Sequence, residues 1–166
     1  MEELLDARTL PGAGDDPAFM EDALAEARAA AAQDDVPVGA VVVRGGKVVA
    51  RGHNRREVEH DPTAHAEVLA LRAAGLALGR WRLGDVALYV TVEPCAMCAG
   101  AIVLARVPLV VFAAPDDKSG AVVSVAQLFE EPKLNHHPRW RLGVRRAESE
   151  ALLREFFKTH RGVASA

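Results

Sequence analysis

Apolar positions in the first third of the chain repeat first at helical spacing and then as short strand-like runs. A helix is predicted between residues 17 and 33, within an alanine-rich stretch. The apolar residues that fall at helical spacing there are Met20, Leu24, Ala27 and Ala31. Two valine-rich segments, 40–43 and 47–50, flank the turn signal Gly45-Gly46 and predict a β-hairpin.

The remaining pattern alternates between helices and buried strands, which is typical of an α/β fold. The predicted elements are a helix over 65–78, a strand over 86–92, a helix ending near 105, a strand over 109–112, a short strand over 140–144 and a helix over 147–160. Because a helix leads into the strand over 109–112, we expect a right-handed crossover and parallel pairing. The sequence therefore predicts a three-layer α-β-α sandwich, with a five-stranded mixed sheet and helices on both faces.

Length and composition indicate one domain of ordinary size. The chain has 166 residues and half of them are apolar, which is enough for a hydrophobic core. Residues 1–16 contain prolines, glycines and paired aspartates and are predicted to form a flexible extension. The domain itself is expected over 17–162, followed by a short tail over 163–166.

The chain carries no signal for a membrane or for export. No apolar run approaches the roughly 18 residues of a membrane span, so no membrane partner is expected. Residues 1–6 are acidic and lack the basic start and apolar stretch of a signal peptide. Because the two cysteines are better used as metal ligands, we expect a cytoplasmic protein.

The net charge of −3 does not indicate a nucleic-acid binder, but the charge is unevenly distributed. Residues 1–35 hold ten acidic and two basic side chains, whereas residues 139–161 hold seven basic and three acidic ones. A basic C-terminal region can bind phosphates. From charge alone, a solvated helix face with internal ion pairs is the better interpretation.

Two segments thirty residues apart carry the candidate chemistry, one reading His65-Ala66-Glu67 and the other Pro94-Cys95-Ala96-Met97-Cys98. Together they offer one imidazole and two thiols as zinc ligands, a carboxylate as proton carrier and an open fourth metal position for water. The chain has only two cysteines, so a zinc site with three or four cysteines is excluded within one chain. Two cysteines with two of the six histidines remain possible on composition.

Both segments are predicted to lie at helix N-termini. Thr63 is a plausible N-cap for the first helix, and Pro94 suits the start of the second. Cys95 and Cys98 then share a face, where the helix N-terminus favours the thiolate. Residues two apart point to nearly opposite sides of a helix, so the His65 imidazole and the Glu67 carboxylate cannot share a site on the helix flank. They can share a site that lies beyond the first turn.

Each segment alone has a simpler interpretation. A Cys-x-x-Cys pair is compatible with a redox dithiol, or with two buried core cysteines. A His-x-Glu triplet alone carries almost no information. The two segments together, each opening a helix, favour a catalytic zinc site.

The chain resembles the bacterial tRNA adenosine deaminases, and the pairing of H-x-E with P-C-x-x-C is the signature of the zinc nucleobase deaminases. The resemblance covers nearly all of residues 17–162. The matching segments are 36–41 (VPVGAV), 54–55 (NR), 60–67 (HDPTAHAE), 88–101 (LYVTVEPCAMCAGA), 110–112 (VVF), 116–121 (DDKSGA), 134–136 (LNH) and 155–157 (EFF). The zinc signature is shared with cytidine and guanine deaminases, whereas 98–101 and 116–121 are specific to the tRNA branch.

The resemblance implies a cytidine deaminase-like fold, a homodimer and a zinc-dependent enzyme. The reaction would be hydrolysis of adenosine to inosine, with release of ammonia, at the wobble position of an arginine tRNA with an ACG anticodon. His65, Cys95 and Cys98 take the zinc positions, with one ion per subunit, and Glu67 takes the proton-shuttle position. The residues that match substrate-binding positions are Asn54, Asp116, Phe156, Phe157, Lys158 and Arg161.

Some of these residues also have purely structural interpretations. Asn54 is equally suited to capping local backbone, Asp116 to a turn, and one phenylalanine of the pair to the core. The chain departs from the family at Arg56, where a proline is common, and at Pro115, where a basic residue is expected.

Three other functions remain open at this point. They are deamination of a small molecule, such as guanine, cytosine or a free nucleoside; a zinc-dependent module that binds RNA without catalysis; and a dithiol redox protein. The basic C-terminal helix argues against deamination of a small molecule. The presence of Glu67, which is not a zinc ligand, argues against a module that binds RNA without catalysis.

Overall fold

The computed structural model describes residues 10–160. The part of the predicted extension over 1–9, the predicted tail over 163–166 and the candidate residue Arg161 lie outside the described residues.

Five strands and five α-helices make up the described chain. The strands are β1 (Gly39–Arg44), β2 (Lys47–His53), β3 (Ala87–Val92), β4 (Leu109–Ala114) and β5 (Arg139–Leu142). The helices are α1 (Asp16–Ala32), α2 (Arg56–Glu59), α3 (Ala66–Leu78), α4 (Ala96–Leu104) and α5 (Arg146–Thr159), with short 3-10 helices at Ala13–Asp15 and Leu128–Glu130. Every predicted strand and helix is confirmed, and only α2 and the two 3-10 helices were not predicted.

The strands form one mixed sheet in the order β2-β1-β3-β4-β5. β1 pairs antiparallel with both β2 and β3, whereas β3, β4 and β5 run parallel to one another. The predicted hairpin and the predicted parallel pairing are therefore both confirmed. Because parallel strands end at the same edge, the segments that follow β3 and β4 begin side by side.

Alternate residues of the sheet face two separate apolar cores. One core packs Val41, Tyr89 and Val111 against α1, with Leu152 of α5 at its margin. The other packs alternating valines, Leu88 and Phe112 of the sheet against α3 and α4. The molecule is thus the predicted three-layer sandwich, with α1 and α5 on one face and α3 and α4 on the other.

Two strand glycines let helix backbones approach the sheet closely. At Gly39, a Cβ would overlap backbone atoms of α1, and at Gly52 it would lie 2.6 Å from the Ala66 carbonyl oxygen and 2.7 Å from the Ala70 nitrogen. Gly52 faces the first turn of α3. The absence of a side chain there sets the depth at which α3 sits on the sheet.

A buried ion pair fixes the start of α1. Asp16 is 1% exposed and its carboxylate accepts hydrogen bonds from the Tyr89 hydroxyl (2.6 Å) and from Nε and Nη2 of Arg141 (both 2.7 Å). The segment before α1 is therefore held against the domain at Asp16 and at Pro11, whose carbonyl oxygen accepts a hydrogen bond from Arg141 (3.2 Å), while residues 12–15 are exposed. Burial of the carboxylate beside the guanidinium of β5 is the physical reason.

Among residues 10–160, no helix is both long enough and apolar enough to cross a membrane.

Substitution of Gly52 by alanine tests the close packing of α3. We expect Gly52→Ala to lower the free energy of unfolding by about 3 kcal/mol, because the new methyl group overlaps the α3 backbone. Gly100→Ala is the matched control, since a Cβ at this α4 position meets no atom within 4 Å. It is expected to raise the free energy of unfolding by up to about 1 kcal/mol. Urea denaturation followed by circular dichroism measures both, and wild-type stability of Gly52→Ala would contradict the packing argument.

Candidate active site

Two helix N-termini meet at the carboxyl edge of the parallel strands. His65 is the N-cap of α3 and Cys95 is the N-cap of α4, both with extended backbone. The prediction that Thr63 caps α3 is wrong, because its amide and hydroxyl donate to the Asp61 carboxylate instead. Pro94 directly precedes the N-cap of α4, close to its predicted position.

Three side chains converge at this point with the spacing of metal ligands. The Nδ1 atom of His65 lies 3.7 Å from the Cys95 sulfur and 3.5 Å from the Cys98 sulfur. All three donor atoms lie within 4.8 Å of one another. Ideal zinc–ligand bonds at tetrahedral angles place nitrogen and sulfur donors about 3.6 Å apart, so the three side chains fit a zinc ion. The sequence prediction that these three residues belong together is confirmed in space.

The protonation of the cluster reflects the short contacts within it. The pKa of Cys95 is lowered to about 4, chiefly because the Cys98 thiol donates a hydrogen bond to its sulfur and also because of the neighbouring His65. The same hydrogen bond, together with burial, raises the pKa of Cys98. The lowered pKa favours the thiolate of Cys95, and thiolate is the form that binds metal.

Glu67 lies in the first turn of α3 and is almost fully buried beside the cluster. Burial raises its pKa to about 7, with a further upward contribution from the charge of Cys95. A carboxyl group that titrates near neutral pH can both accept and donate a proton. Because His65 is the N-cap rather than a flank residue, its ring and the Glu67 carboxyl group lie close enough to affect each other's pKa, and the proton-shuttle role of Glu67 stays a prediction.

Asn54 has a structural role that explains its position after β2. Its side-chain oxygen accepts a hydrogen bond from the Ala66 amide (2.9 Å), and this bond satisfies one of the free N–H groups at the start of α3. The side chain is 7% exposed, and among the described residues its only hydrogen bond is the one that its oxygen accepts. The NH₂ group is therefore available to a ligand, so capping and substrate contact are compatible in one residue.

Asp116 follows β4 and is held in a tight turn. Its carboxylate accepts hydrogen bonds from the amides of Lys118 (3.0 Å) and Ser119 (3.2 Å), and from the Ser119 hydroxyl (2.5 Å). The turn interpretation of this residue is thus correct, and a role in substrate binding stays a prediction.

The aromatic residues of α5 lie at its C-terminal end, in the helical layer opposite α3 and α4. The Phe156 ring stacks on His160 at 4.0 Å between centroids, and Phe157 is half-exposed. His160 Nε2 lies 3.7 Å from the Asp34 carboxylate. The structure does not join these residues to the metal-ligand cluster, and their contact with RNA stays a prediction.

The basic charge of the C-terminal region is partly neutralised within the domain. Arg141 pairs with Asp16, Arg145 with Glu21 and Glu148, and Arg146 with Glu150. Within the described part of the chain, Arg154 and Lys158 take part in no ion pair. Internal pairing therefore accounts for three of the basic residues, whereas Arg139 on β5, like Arg154 and Lys158, pairs with no acidic side chain of the described residues.

One residue of the site was not singled out from the sequence. Glu93 directly follows β3, is 3% exposed and accepts hydrogen bonds from the loop after β4. Burial alone would raise its pKa, but hydrogen bonds from the Ser124 hydroxyl and from backbone amides outweigh it and lower the pKa. The signal in the sequence that could have pointed to Glu93 was its position as a single carboxylate between a buried strand and a proline.

A mixed α-β-α sandwich with His, two Cys and a buried Glu at converging helix N-termini defines a deaminase of the cytidine deaminase-like fold. A family model described as MafB19-like deaminase matches residues 14–161. The tRNA-specific adenosine deaminase of Agrobacterium fabrum (strain C58) is 48% identical over 143 residues, covering 86% of this chain and 94% of that protein. The chain belongs to the tRNA-specific adenosine deaminase family.

Solved structures agree with this assignment. A structure from studies of A-to-I editing by tRNA:A34 deaminases superimposes with a TM-score of 0.80 and 47% identity, covering 82% of this chain and 99% of that one. A guanine deaminase from Nitrosomonas europaea superimposes with a TM-score of 0.71 and 29% identity, covering 84% and 83%. The fold is common to both, and the sequence is closer to the first.

Replacement of one thiol tests the ligand set. We expect Cys98→Ser to lose bound metal, because a serine hydroxyl stays protonated at neutral pH and cannot replace a thiolate ligand. Metal content after purification, measured by plasma mass spectrometry, is the readout. Met97→Leu, at the neighbouring position that offers no ligand atom for zinc, is the control and should bind as much metal as the wild type. A full complement of zinc in Cys98→Ser would mean that the ligand set is wrong.

Proposed function

We propose that this chain hydrolyses adenosine to inosine at the wobble position of tRNA, with the ACG-anticodon arginine tRNA as substrate. The observation that carries the proposal is the convergence of His65, Cys95 and Cys98 at zinc-ligand spacing beside buried Glu67. Family membership and the names of the relatives support the tRNA substrate. A cytoplasmic location is part of the proposal.

The three donors would hold one Zn²⁺ per subunit. The chemistry that a bound zinc ion supplies is Lewis-acid activation of water near neutral pH. Glu67 is positioned to take the proton of the attacking water and to deliver protons to the purine ring nitrogen and to the departing amine. A C6–O bond forms, the C6–N bond breaks, and ammonia leaves.

The substrate base must leave its stack to reach this buried site. The Asn54 amide, directed past the start of α3, supplies a donor for a base or ribose acceptor. At the end of α5, half-exposed Phe157 offers a surface for base stacking, while Lys158 offers a charge for phosphate. These assignments, with Phe156, Asp116 and Arg161, extend the resemblance and remain proposals.

A homodimer is also part of the proposal. The outer face of α3 and α4 carries a groove of about 680 Å³ lined by Leu71, Leu76, Trp81 and Ala101, among others. Leu76 and Trp81 are 86% and 67% exposed, and Leu104 of α4 is 70% exposed. Apolar side chains so exposed on one face of a monomer are typical of an interface.

A second candidate function is deamination of a free base, because a guanine deaminase shares the fold and much of the chain. The two candidates differ in substrate, so one experiment separates them. Purified zinc-loaded protein is incubated with the arginine tRNA and, in parallel, with free guanine, cytidine and adenosine. Mass spectrometry of the products should show inosine from the tRNA alone. Product from a free base or nucleoside alone would overturn the tRNA assignment while leaving the zinc chemistry intact.

Loss of the Glu67 carboxylate in the same assay tests its role. We expect Glu67→Ala to keep its zinc and lose turnover by about 1000-fold or more, because the variant lacks the carboxyl group that is proposed to move protons at the cluster. Exposed Glu131 is the control, and Glu131→Ala should leave turnover unchanged. Wild-type turnover in Glu67→Ala would show that another group moves the proton.

The two roles of Asn54 can be separated by a pair of substitutions. Asn54→Asp keeps an oxygen for the Ala66 amide but loses the NH₂ donor, whereas Asn54→Ala loses both. We expect KM for the tRNA to rise about tenfold in both variants. Only Asn54→Ala should lower the free energy of unfolding, by about 1 kcal/mol. A wild-type KM in Asn54→Asp would limit this residue to capping.

A further inference from the structure

The loop that follows β4 is folded around a buried carboxylate from another part of the chain. Oε1 of Glu93 accepts hydrogen bonds from three consecutive amides, those of Val122 (3.3 Å), Val123 (2.6 Å) and Ser124 (2.9 Å). Oε2 accepts from the Asp116 amide (2.9 Å) and the Ser124 hydroxyl (2.6 Å). No basic side chain of the described residues pairs with Glu93. Five hydrogen-bond donors of one loop therefore compensate its charge.

Gly120 is required by this arrangement. A Cβ at this position would overlap the Glu93 carboxylate and would lie 2.7 Å from the Asp116 carbonyl oxygen. The Gly120 amide donates to that same carbonyl (2.9 Å). The loop thus closes tightly over the carboxylate, with Asp116 at one end and Ser124 at the other.

The loop also lies directly against the metal-ligand segment. Gly120 forms a β-bridge with Cys95, and the Ala121 amide donates to the Pro94 carbonyl oxygen (2.8 Å). Glu93 itself is two residues before Cys95. The carboxylate therefore sets the distance between the loop that bears Asp116 and the helix that bears both cysteines.

We propose that Glu93 is a positioning residue, whose carboxylate holds the loop over 115–124 against the α4 N-terminus as one wall of the nucleotide-binding pocket. The inference rests on the proposed function, since that function supplies the nucleotide. Glu93 does not touch the reacting atoms. It acts through the loop, and above all through the backbone of Asp116.

The test compares two substitutions that weaken the same contact to different extents. Glu93→Gln keeps the shape of the side chain but directs an NH₂ group towards N–H donors, so the loop loses several hydrogen bonds at once. Ser124→Ala removes only the hydroxyl donor. Glu131→Gln, at an exposed position in the same connection between β4 and β5, is the matched control. Each zinc-loaded protein is assayed for inosine formation in an anticodon stem-loop RNA of the arginine tRNA, together with zinc content and unfolding midpoint.

We expect KM for the RNA to rise about tenfold in Glu93→Gln and about threefold in Ser124→Ala, with kcat changed less and one zinc ion retained. Glu93→Asp, which restores the charge on a shorter side chain, should recover part of the loss. A residue that only stabilised the fold would lower the unfolding midpoint without this split between KM and kcat. If Glu93→Gln does not fold, the KM of Ser124→Ala for the RNA decides the test.

Coupling to Asp116 provides a second readout. In the wild-type background Asp116→Ala should raise KM, whereas in the Glu93→Gln background the same change should have a smaller effect because the loop is already displaced. Fully additive effects, or a wild-type KM in both Glu93→Gln and Ser124→Ala, would overturn this role alone. Loss of zinc from Glu93→Gln would overturn it too, since the carboxylate would then serve metal binding. A wild-type protein without activity on the RNA would overturn the proposed function and this role with it.

Discussion

The convergence of two helix N-termini at one sheet edge is the constraint on which the site depends. His65 and Cys95 are N-cap residues, so each side chain lies at the end of its helix rather than on the helix flank. The partial positive charge of both helix ends favours thiolate and carboxylate at this point. The sheet fixes the meeting point, because parallel β3 and β4 end side by side and Gly52 lets α3 approach β2 closely.

Polar side chains at the site both stabilise the fold and serve the proposed chemistry. Asn54 caps α3 with its oxygen while its amide nitrogen is free for a ligand. Glu93 accepts hydrogen bonds from the loop over 115–124 and holds that loop next to Cys95. The buried oxygens of both side chains accept hydrogen bonds, as low-dielectric surroundings require. At buried Glu67 the compensation is weaker: burial outweighs the charge of His65 and the hydrogen bond with Cys98, and it raises the pKa to about 7. This is the carboxyl group for which we propose proton transfer.

Much of the architecture could be predicted because its signals are local. The two-glycine turn predicts the β1–β2 hairpin, and apolar runs predict β3, β4 and their helices. The contacts of residues 10–16 were not predicted, because this stretch looks like a linker. Their order depends on Arg141, more than a hundred residues away, and no local pattern reports such a contact. Thr63 was wrongly preferred as N-cap, because its amide and hydroxyl donate to the Asp61 carboxylate two residues earlier.

The sequence by itself determined the chemistry that we propose for this protein: three donors suited to zinc, a candidate proton carrier and a family resemblance that covers most of the chain. Those features are sets of residue types at fixed spacing, so they can be read without coordinates. Only the tertiary structure decided how the pieces are held together. The hydrogen bonds of Asn54 with Ala66 and of Glu93 with Ser124 join segments distant in the chain, and their geometry arises from strand order and helix depth. Packing of the whole domain, rather than local pattern, fixes those distances.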